Sequence, residues 1–140
     1  MKIINTYPPN IREIRKFFPV HDRVVFTWGD KIFNYHNLRI DPGLMKHEEE
    51  HSKQQLSYGW ILLPDSFKIK RWWHRYLRDS EFRLSQEIPA YQAQFREYKK
   101  VILDKNRLHK IAMDLAFDLS SLLYGSIISF DKALKLIKCS

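Results

Sequence analysis

Two histidines spaced four residues apart, His47 and His51, are the residues of this sequence whose types and spacing most clearly suggest chemistry. In a helix each residue turns by about 100°, so the two side chains lie about 40° apart in projection and one turn apart along the axis. Both imidazoles then project from one face, where two nitrogen atoms can bind the same metal ion. The spacing therefore predicts a metal site on this helix.

The carboxylates next to the histidines include a candidate general base. Glu48 and Glu50 lie about 80° on either side of the direction of the histidines, so helix geometry alone leaves both open. The motif His47-Glu48-x-x-His51 favours Glu48, because in this pattern two histidines bind zinc and the glutamate takes a proton from the zinc-activated water. Glu49 points away from the histidines and is expected to be a solvated surface charge.

A third ligand is needed, because a catalytic zinc ion usually has three protein ligands and one water. Glu87 is our candidate, since it is the carboxylate in a stripe of apolar, aromatic and amide side chains at helical spacing. The other members of that stripe are Leu84, Tyr91, Gln94 and Tyr98. The alternative ligands have more polar surroundings and are His74, Asp79 and Glu81.

Such a site requires a fold that brings two separate helices together. Two β-branched and aromatic runs, 24–28 and 31–35, flank Gly29-Asp30 and predict a β-hairpin. Only four glycines and six prolines interrupt the chain, so long helices are expected after the hairpin. The predicted helices run from an N-cap at Asn10 to about Pro19, over 44–58, 65–78, 80–101 and 106–123, and onward from a cap at Ser129. The sequence therefore predicts an α+β fold, a small β-hairpin followed by mostly helix.

The composition is typical of a single packed domain over residues 1–140. Hydrophobic residues make up 44% and charged residues 29% of the chain, which excludes a disordered tail. Cys139 is the only cysteine, which excludes an intramolecular disulfide framework and cysteine-based zinc sites. The first twenty residues lack the apolar core of a signal peptide, and no apolar run approaches the roughly 20 residues of a membrane span. We therefore expect a cytoplasmic protein with no membrane partner.

The net charge of +8 raises the question of a nucleic-acid partner, and the segment 68–78 is where basic and aromatic residues alternate. An amphipathic helix explains this pattern most simply, with the aromatic side chains in the core and the basic face in solvent. The alternative is a noncatalytic, metal-stabilised protein that binds nucleic acid, an anionic surface or a host protein through this helix. No known nucleic-acid-binding motif supports the alternative, so nucleic acid is not the favoured partner.

In the order of its motifs, the chain resembles the small zincin-like metallopeptidases encoded by bacteriophages and prophages. The resemblance extends from about residue 24 through most of the chain. It rests on an aromatic hairpin, the motif 47–51 with Gln54, the segments 82–84 and 87–91, and the segment 119–125 before a closing helix.

The resemblance implies a minimal zincin-like domain in which His47, His51 and Glu87 bind Zn²⁺ in a gluzincin-type site and Glu48 is the general base. It also implies a peptide or protein substrate in a bacterial host cytoplasm. The strand 31–35 would then pair with the extended substrate.

Two further expectations concern the surroundings of this site. Tyr91 and His74 are the candidates for stabilising an oxyanion. Pro89 departs from the expected helix, because it would remove one hydrogen bond or place Glu87 close to the helix start.

Overall fold

The computed structural model describes all 140 residues and contains one three-stranded sheet and six α-helices. The strands are β1 (Lys2–Ile4), β2 (Phe26–Trp28) and β3 (Lys31–Phe33). The helices are α1 (Ile11–Phe17), α2 (Pro42–Leu56), α3 (Asp65–Arg78), α4 (Ser80–Val101), α5 (Lys105–Ser120) and α6 (Phe130–Lys138). The predicted α+β fold, with mostly helix after a small hairpin, is confirmed.

The sheet has the strand order β1-β3-β2. β2 and β3 form the predicted antiparallel hairpin, in which Trp28 is opposite Lys31 and Phe26 is opposite Phe33. Gly29 at the turn has a φ of +61°, which a glycine adopts without the steric cost that a side chain would add. β1 pairs in parallel with β3 and was not predicted, because three residues are too few to show a periodic pattern.

The sheet offers no open edge where the resemblance places the substrate, so the expectation for strand 31–35 is wrong. β3 is the central strand and is paired on both sides. The outer edge of β2 is also engaged, because the Thr27 carbonyl accepts hydrogen bonds from Gln55 Nε2 at 2.9 Å and from Trp73 Nε1 at 3.1 Å. Gln55 Oε1 in turn accepts the Gly29 N–H at 2.7 Å. Side chains of α2 and α3 thus close this edge against an added strand.

The most extensive helix contact is between α2 and α4, the two helices that carry the predicted ligands. Asp41 caps α2 by accepting the Leu44 N–H at 2.9 Å, and its carboxylate also accepts the Tyr98 hydroxyl of α4 at 3.0 Å. Gly43 lets the helices approach closely there, because a Cβ at this position would lie 2.4 Å from the Tyr98 ring. The N-terminus of α2 is therefore anchored directly on α4.

Pro89 lies inside α4, so Glu87 is in mid-helix and not at a helix start. The proline lacks the N–H that would bond the Ser85 carbonyl. The next carbonyl, that of Gln86, accepts Gln54 Nε2 from α2 at 2.9 Å. The irregularity in α4 thus coincides with a direct link between the two ligand-bearing helices.

The core consists of two clusters, with the predicted site at their junction. The first joins α3 to the hairpin and α1 through Ile14, Phe26, Phe33, Ile69, Trp72, Trp73, Tyr76, Leu77 and Phe82. The second joins α4, α5 and α6 through Tyr91, Phe95, Ala112, Leu115, Ala116, Leu119, Ile128, Ala133 and Ile137. His51 contacts the first cluster at Trp72, and His47 contacts the second at Tyr91.

The amphipathic interpretation of α3 is confirmed except at Lys68, which is buried and pairs with Asp65. Trp72, Trp73 and Tyr76 are buried, whereas Lys70 and Arg71 are exposed. These three aromatic side chains are therefore not available to stack on nucleic-acid bases, and Phe67 near the start of the helix is the aromatic residue of α3 that is exposed. Separately, no helix of the protein has both the length and the apolar character needed to cross a bilayer.

Several helix ends differ from the sequence prediction. α2 begins at Pro42 and ends at Leu56, two residues before each predicted end, and α1 ends at Phe17. Asn10 precedes α1 but makes no capping hydrogen bond through its side chain. α5 ends at Ser120, earlier than predicted, because residues 122–124 form a 3₁₀ turn that stops at Gly125 with a φ of +87°. The predicted cap at Ser129 is confirmed, since its hydroxyl accepts the Lys132 N–H.

Candidate metal centre

Three side chains predicted as ligands converge in the interior: His47 and His51 from α2, and Glu87 from α4. The Nε2 atoms of the two histidines are 3.1 Å apart. His51 Nε2 lies 3.3 Å from Glu87 Oε1, and His47 Nε2 lies 3.5 Å from Glu87 Oε2. Four ligands placed tetrahedrally at zinc bond lengths are about 3.3 Å from one another. The three donor groups therefore fit one such ion.

Hydrogen bonds at the other ring nitrogens determine which atom of each histidine faces the cluster. His51 Nδ1 is 2.9 Å from Gln54 Oε1, and His47 Nδ1 is 3.1 Å from Gln94 Oε1. An amide oxygen only accepts, so both Nδ1 atoms carry the proton and donate. This arrangement leaves the Nε2 lone pairs directed at the site, as metal-binding histidines require.

Further contacts hold both amides in this orientation. Gln54 Nε2 donates to the Gln86 carbonyl, and Gln94 Nε2 donates to the Tyr98 hydroxyl at 3.2 Å. The Tyr98 hydroxyl donates to Asp41, the residue that caps α2. Each histidine is therefore oriented through α4 and cannot rotate without breaking a chain of hydrogen bonds.

Glu87 is 1% exposed, and its two carboxylate oxygens have different partners. Oε1 accepts a short hydrogen bond of 2.5 Å from the Tyr76 hydroxyl. Oε2 is buried without any hydrogen-bond partner. An unpaired buried polar atom costs about 1–3 kcal/mol, and more when the group is charged. A cation between Glu87 and the two histidines would compensate for that cost.

The charges in the cluster lower the pKa of Glu87 and raise the pKa of His51. Burial favours the neutral carboxyl of Glu87, but the neighbouring imidazoles outweigh burial and hold its pKa well below its usual value. Burial lowers the pKa of His51, but the Glu87 carboxylate outweighs this effect and raises that pKa to about 9. Without a metal, His51 therefore carries a proton on Nε2 beside Glu87, and a metal ion bound at the cluster would have to displace it.

The stability of the metal-free protein should consequently fall between about pH 6.5 and pH 9. The pKa of His51 is raised from 6.5 to about 9, so its stabilising ion pair is fully present below 6.5 and is lost as the pH rises. The pKa of Glu87 is lowered from 4.5, so its contribution is present above 4.5 and is lost in acid. Melting temperatures measured in a chelator across this range test the prediction. A constant or rising melting temperature between pH 6.5 and pH 9 would contradict it.

Glu48 lies beside the cluster and is 5% exposed. Its Oε2 atom accepts a hydrogen bond of 2.6 Å from the Thr27 hydroxyl of β2. Glu48 and the three ligand residues line a single cavity of about 90 Å³. The carboxylate is therefore positioned by the hairpin at the same space that an ion at the cluster would face.

The rest of the cavity wall is mainly apolar. It comes mainly from α1, from residues 18–20 and 24–26 before and in β2, from Trp72, Trp73 and Tyr76 of α3, and from Leu123 and Tyr124. Arg83 links these parts, since Nε donates to the Tyr124 carbonyl at 3.1 Å and its guanidinium lies 4.8 Å from the Phe18 ring. The site is thus a small cavity whose walls are mainly apolar and include residues from the segment before β2.

The two residues expected to stabilise an oxyanion are placed differently. Tyr91 lies next to the cluster, with its ring edge-on to His47 at 4.7 Å and its hydroxyl 3.0 Å from that of Tyr124. His74 is exposed and lies in a separate shallow depression with Arg71 and other α3 residues. The structure therefore does not bring His74 to the site, because it projects from the solvent face of α3, opposite the face that carries Tyr76.

The alternative ligands are likewise not part of the cluster. Asp79 caps α4 and pairs with Arg75, and Glu81 is exposed.

Sequence reasoning missed two side chains that hold the site together, Tyr76 and Thr27. Tyr76 was assigned to the aromatic core, although a buried tyrosine usually needs a partner for its hydroxyl, and that requirement was the available signal. Thr27 is a polar residue inside an apolar strand, which is a weaker signal. Neither pattern indicates which partner is reached, because both contacts join segments that are distant in sequence.

We expect Tyr76→Phe to weaken zinc binding by about tenfold to a hundredfold, because groups that orient a metal ligand typically have effects of this size. The variant removes the hydroxyl that donates to Glu87 and retains the ring in the core. Tyr91→Phe is the matched control, since it removes a buried hydroxyl that bonds Tyr124 and no ligand. Isothermal titration calorimetry with zinc measures the dissociation constant of each variant. Equal affinities in the two variants would show that Tyr76 does not position Glu87.

Comparison with protein-family models, with curated proteins and with solved structures finds no match to this chain. Any function therefore has to be argued from the geometry of the site itself.

Proposed function

We propose that the protein is a zinc-dependent hydrolase of the zincin type that cleaves peptide bonds. The observation that carries the proposal is the convergence of His47, His51 and Glu87 on one point, with Glu48 lining the same cavity. A purely structural ion would be enclosed by four protein ligands, whereas this cluster supplies three. The remaining coordination position would face the cavity.

The donor set favours zinc among the common divalent ions. Two imidazole nitrogens and one carboxylate are a ligand combination found in catalytic zinc sites. Bound there, zinc would supply Lewis-acid activation of water and of the scissile carbonyl. The ligand residues hold this position through Gln54, Gln94 and Tyr76, and little rearrangement would be needed on binding.

Glu48 is the residue that we assign as general base. One carboxylate oxygen, Oε2, is held by the Thr27 hydroxyl, which keeps the side chain directed into the cavity. The carboxylate can accept a proton from water during attack and return it to the departing amine. The alternative base, Glu50, is paired with Lys53 at 3.3 Å and does not line the cavity.

Tyr124 is the group that we assign to the substrate carbonyl oxygen, and Tyr91, which does not line the cavity, supports it through a hydrogen bond. Their hydroxyls share a hydrogen bond of 3.0 Å, and Tyr124 lines the cavity. Burial raises the pKa of both phenols well above the usual value of 10, so both retain their protons at neutral pH. A protonated hydroxyl can donate to an oxygen that gains negative charge in the transition state.

The shape of the site argues against a substrate strand added to the sheet. The edge of β2 is closed by Gln55 and Trp73, and the cavity of about 90 Å³ is narrow. We therefore propose that a peptide enters the cavity between the segment 18–25 and the 3₁₀ turn at residues 122–124, past apolar walls.

The proposal is tested with zinc-loaded protein and a mixture of peptides, whose products are identified by mass spectrometry. We expect cleavage that stops when a chelator removes the metal and returns when zinc is restored. Tight zinc binding without any cleavage would instead indicate the noncatalytic, metal-stabilised protein considered as the alternative.

A further inference from the structure

The turn between α2 and α3 exposes three large apolar side chains that the fold does not use. Trp60, Ile61 and Leu62 are 81%, 90% and 91% exposed. The central positions of turns usually carry glycine, proline or small polar residues, whereas here they are isoleucine and leucine. A contiguous exposed apolar group of this kind typically marks an interaction surface. We refer to residues 60–62 as the apolar turn.

The apolar turn has a defined backbone. Gly59 precedes it with a φ of +87°, and the Leu63 N–H donates to the Trp60 carbonyl at 3.0 Å. Pro64 then leads directly into α3. The three exposed residues therefore lie in one hydrogen-bonded turn between two helices.

Exposed basic residues follow the apolar turn in sequence, on the second turn of α3. Phe67 is 47% exposed, and the Arg71 guanidinium lies 5.8 Å from its ring. Lys70, three residues after Phe67, is also exposed. The other basic residues of α3 form ion pairs, Lys68 with Asp65, Arg75 with Asp79, and Arg78 with Glu13. Lys70 and Arg71, which we call the basic pair, form no ion pair within the protein and are free to bind an external anion.

Although the sequence alone suggested no membrane partner, we propose that the apolar turn and the basic pair form a docking surface for an anionic lipid bilayer. Trp60 is a side chain that prefers the membrane interface, and Ile61 and Leu62 can enter the boundary between headgroups and acyl chains. Lys70 and Arg71 would contact lipid phosphates and carboxylates, supported by the net charge of +8. A nucleic acid would use these charges but not the aliphatic side chains, so the combination favours lipid.

Binding is tested with vesicles of mixed phosphatidylserine and phosphatidylcholine, with vesicles of phosphatidylcholine alone as the comparison. We expect the protein to sediment with the anionic vesicles and to do so less as salt increases. Trp60 is the most exposed of the four tryptophans, because Trp28 is partly buried and Trp72 and Trp73 are buried, so the fluorescence should shift to the blue on binding. Absence of sedimentation with anionic vesicles at low salt would overturn the proposal.

Variants assign the binding to this surface. The double variant Ile61→Ser with Leu62→Ser should reduce the bound fraction by about tenfold or more, and Lys70→Glu with Arg71→Glu should have a similar effect. Leu103→Ser is the matched control, since Leu103 is equally exposed at 91% in the loop between α4 and α5. These side chains are on the surface, so melting temperatures should not change. Unchanged vesicle binding in the Ile61 and Leu62 variant would overturn the proposal. So would a dimer that this variant dissociates without any vesicle binding.

Discussion

Replacing His51 by alanine should weaken zinc binding by about a hundredfold to a thousandfold. The binding free energy of zinc at a protein site is about 10–16 kcal/mol. Divided among the ligands, this is roughly 3 kcal/mol or more for each one, which corresponds to a change in affinity of this size. His51 contributes the Nε2 atom that lies closest to both other ligands, at 3.1 Å from His47 and 3.3 Å from Glu87. Zinc content after purification and titration calorimetry measure the loss.

The control for this prediction is His74→Ala, which removes an exposed imidazole outside the cluster and should leave the affinity unchanged. Glu87→Gln is a second variant that keeps the side-chain volume, so a loss of zinc there cannot be attributed to a cavity. Circular dichroism of each metal-free variant checks that the helices are retained. If His51→Ala and His74→Ala bound zinc equally well, the assignment of ligands would be wrong.

Replacing Glu48 by glutamine should leave zinc binding nearly unchanged and reduce peptide hydrolysis by about a thousandfold. General bases typically contribute a factor of about 10²–10⁴, and an amide cannot take the proton. Glutamine has the shape of glutamate and retains an oxygen that can accept the Thr27 hydroxyl. The cavity should therefore keep its form while the proton acceptor is lost.

The neighbouring glutamates provide matched controls for Glu48. Glu49 pairs with Lys46 at 2.6 Å and Glu50 pairs with Lys53, and neither lines the cavity. Glu49→Gln and Glu50→Gln should keep both zinc and activity. Full activity in Glu48→Gln, or its loss in Glu50→Gln with zinc retained, would reassign the base.

The parts of this molecule that were predictable from the sequence are those governed by local periodicity. The bounds of α3, Asp65–Arg78, and of α4, Ser80–Val101, follow from caps and apolar spacing and agree with the structure. The four-residue spacing of His47 and His51 places both side chains on one face of a regular helix. Glu87 could be identified because a carboxylate in an apolar stripe is exceptional.

The remainder depends on contacts between distant segments, which periodicity does not encode. Tyr76 reaches Glu87 from a different helix, and Thr27 reaches Glu48 from the hairpin. The short strand β1 makes β3 central, which removed the edge expected for substrate pairing. Pro89 was expected to disturb α4 near Glu87, but the helix continues through it. Gln54 from α2 donates a hydrogen bond to the Gln86 carbonyl in this part of the helix.

The central claim is that His47, His51 and Glu87 hold one zinc ion. Anomalous scattering measured on crystals above and below the zinc absorption edge tests it most directly. We predict one strong peak per chain between the two Nε2 atoms and the Glu87 carboxylate. A zinc-supplemented crystal with no peak at this position, or with its peak at other side chains, would contradict the claim.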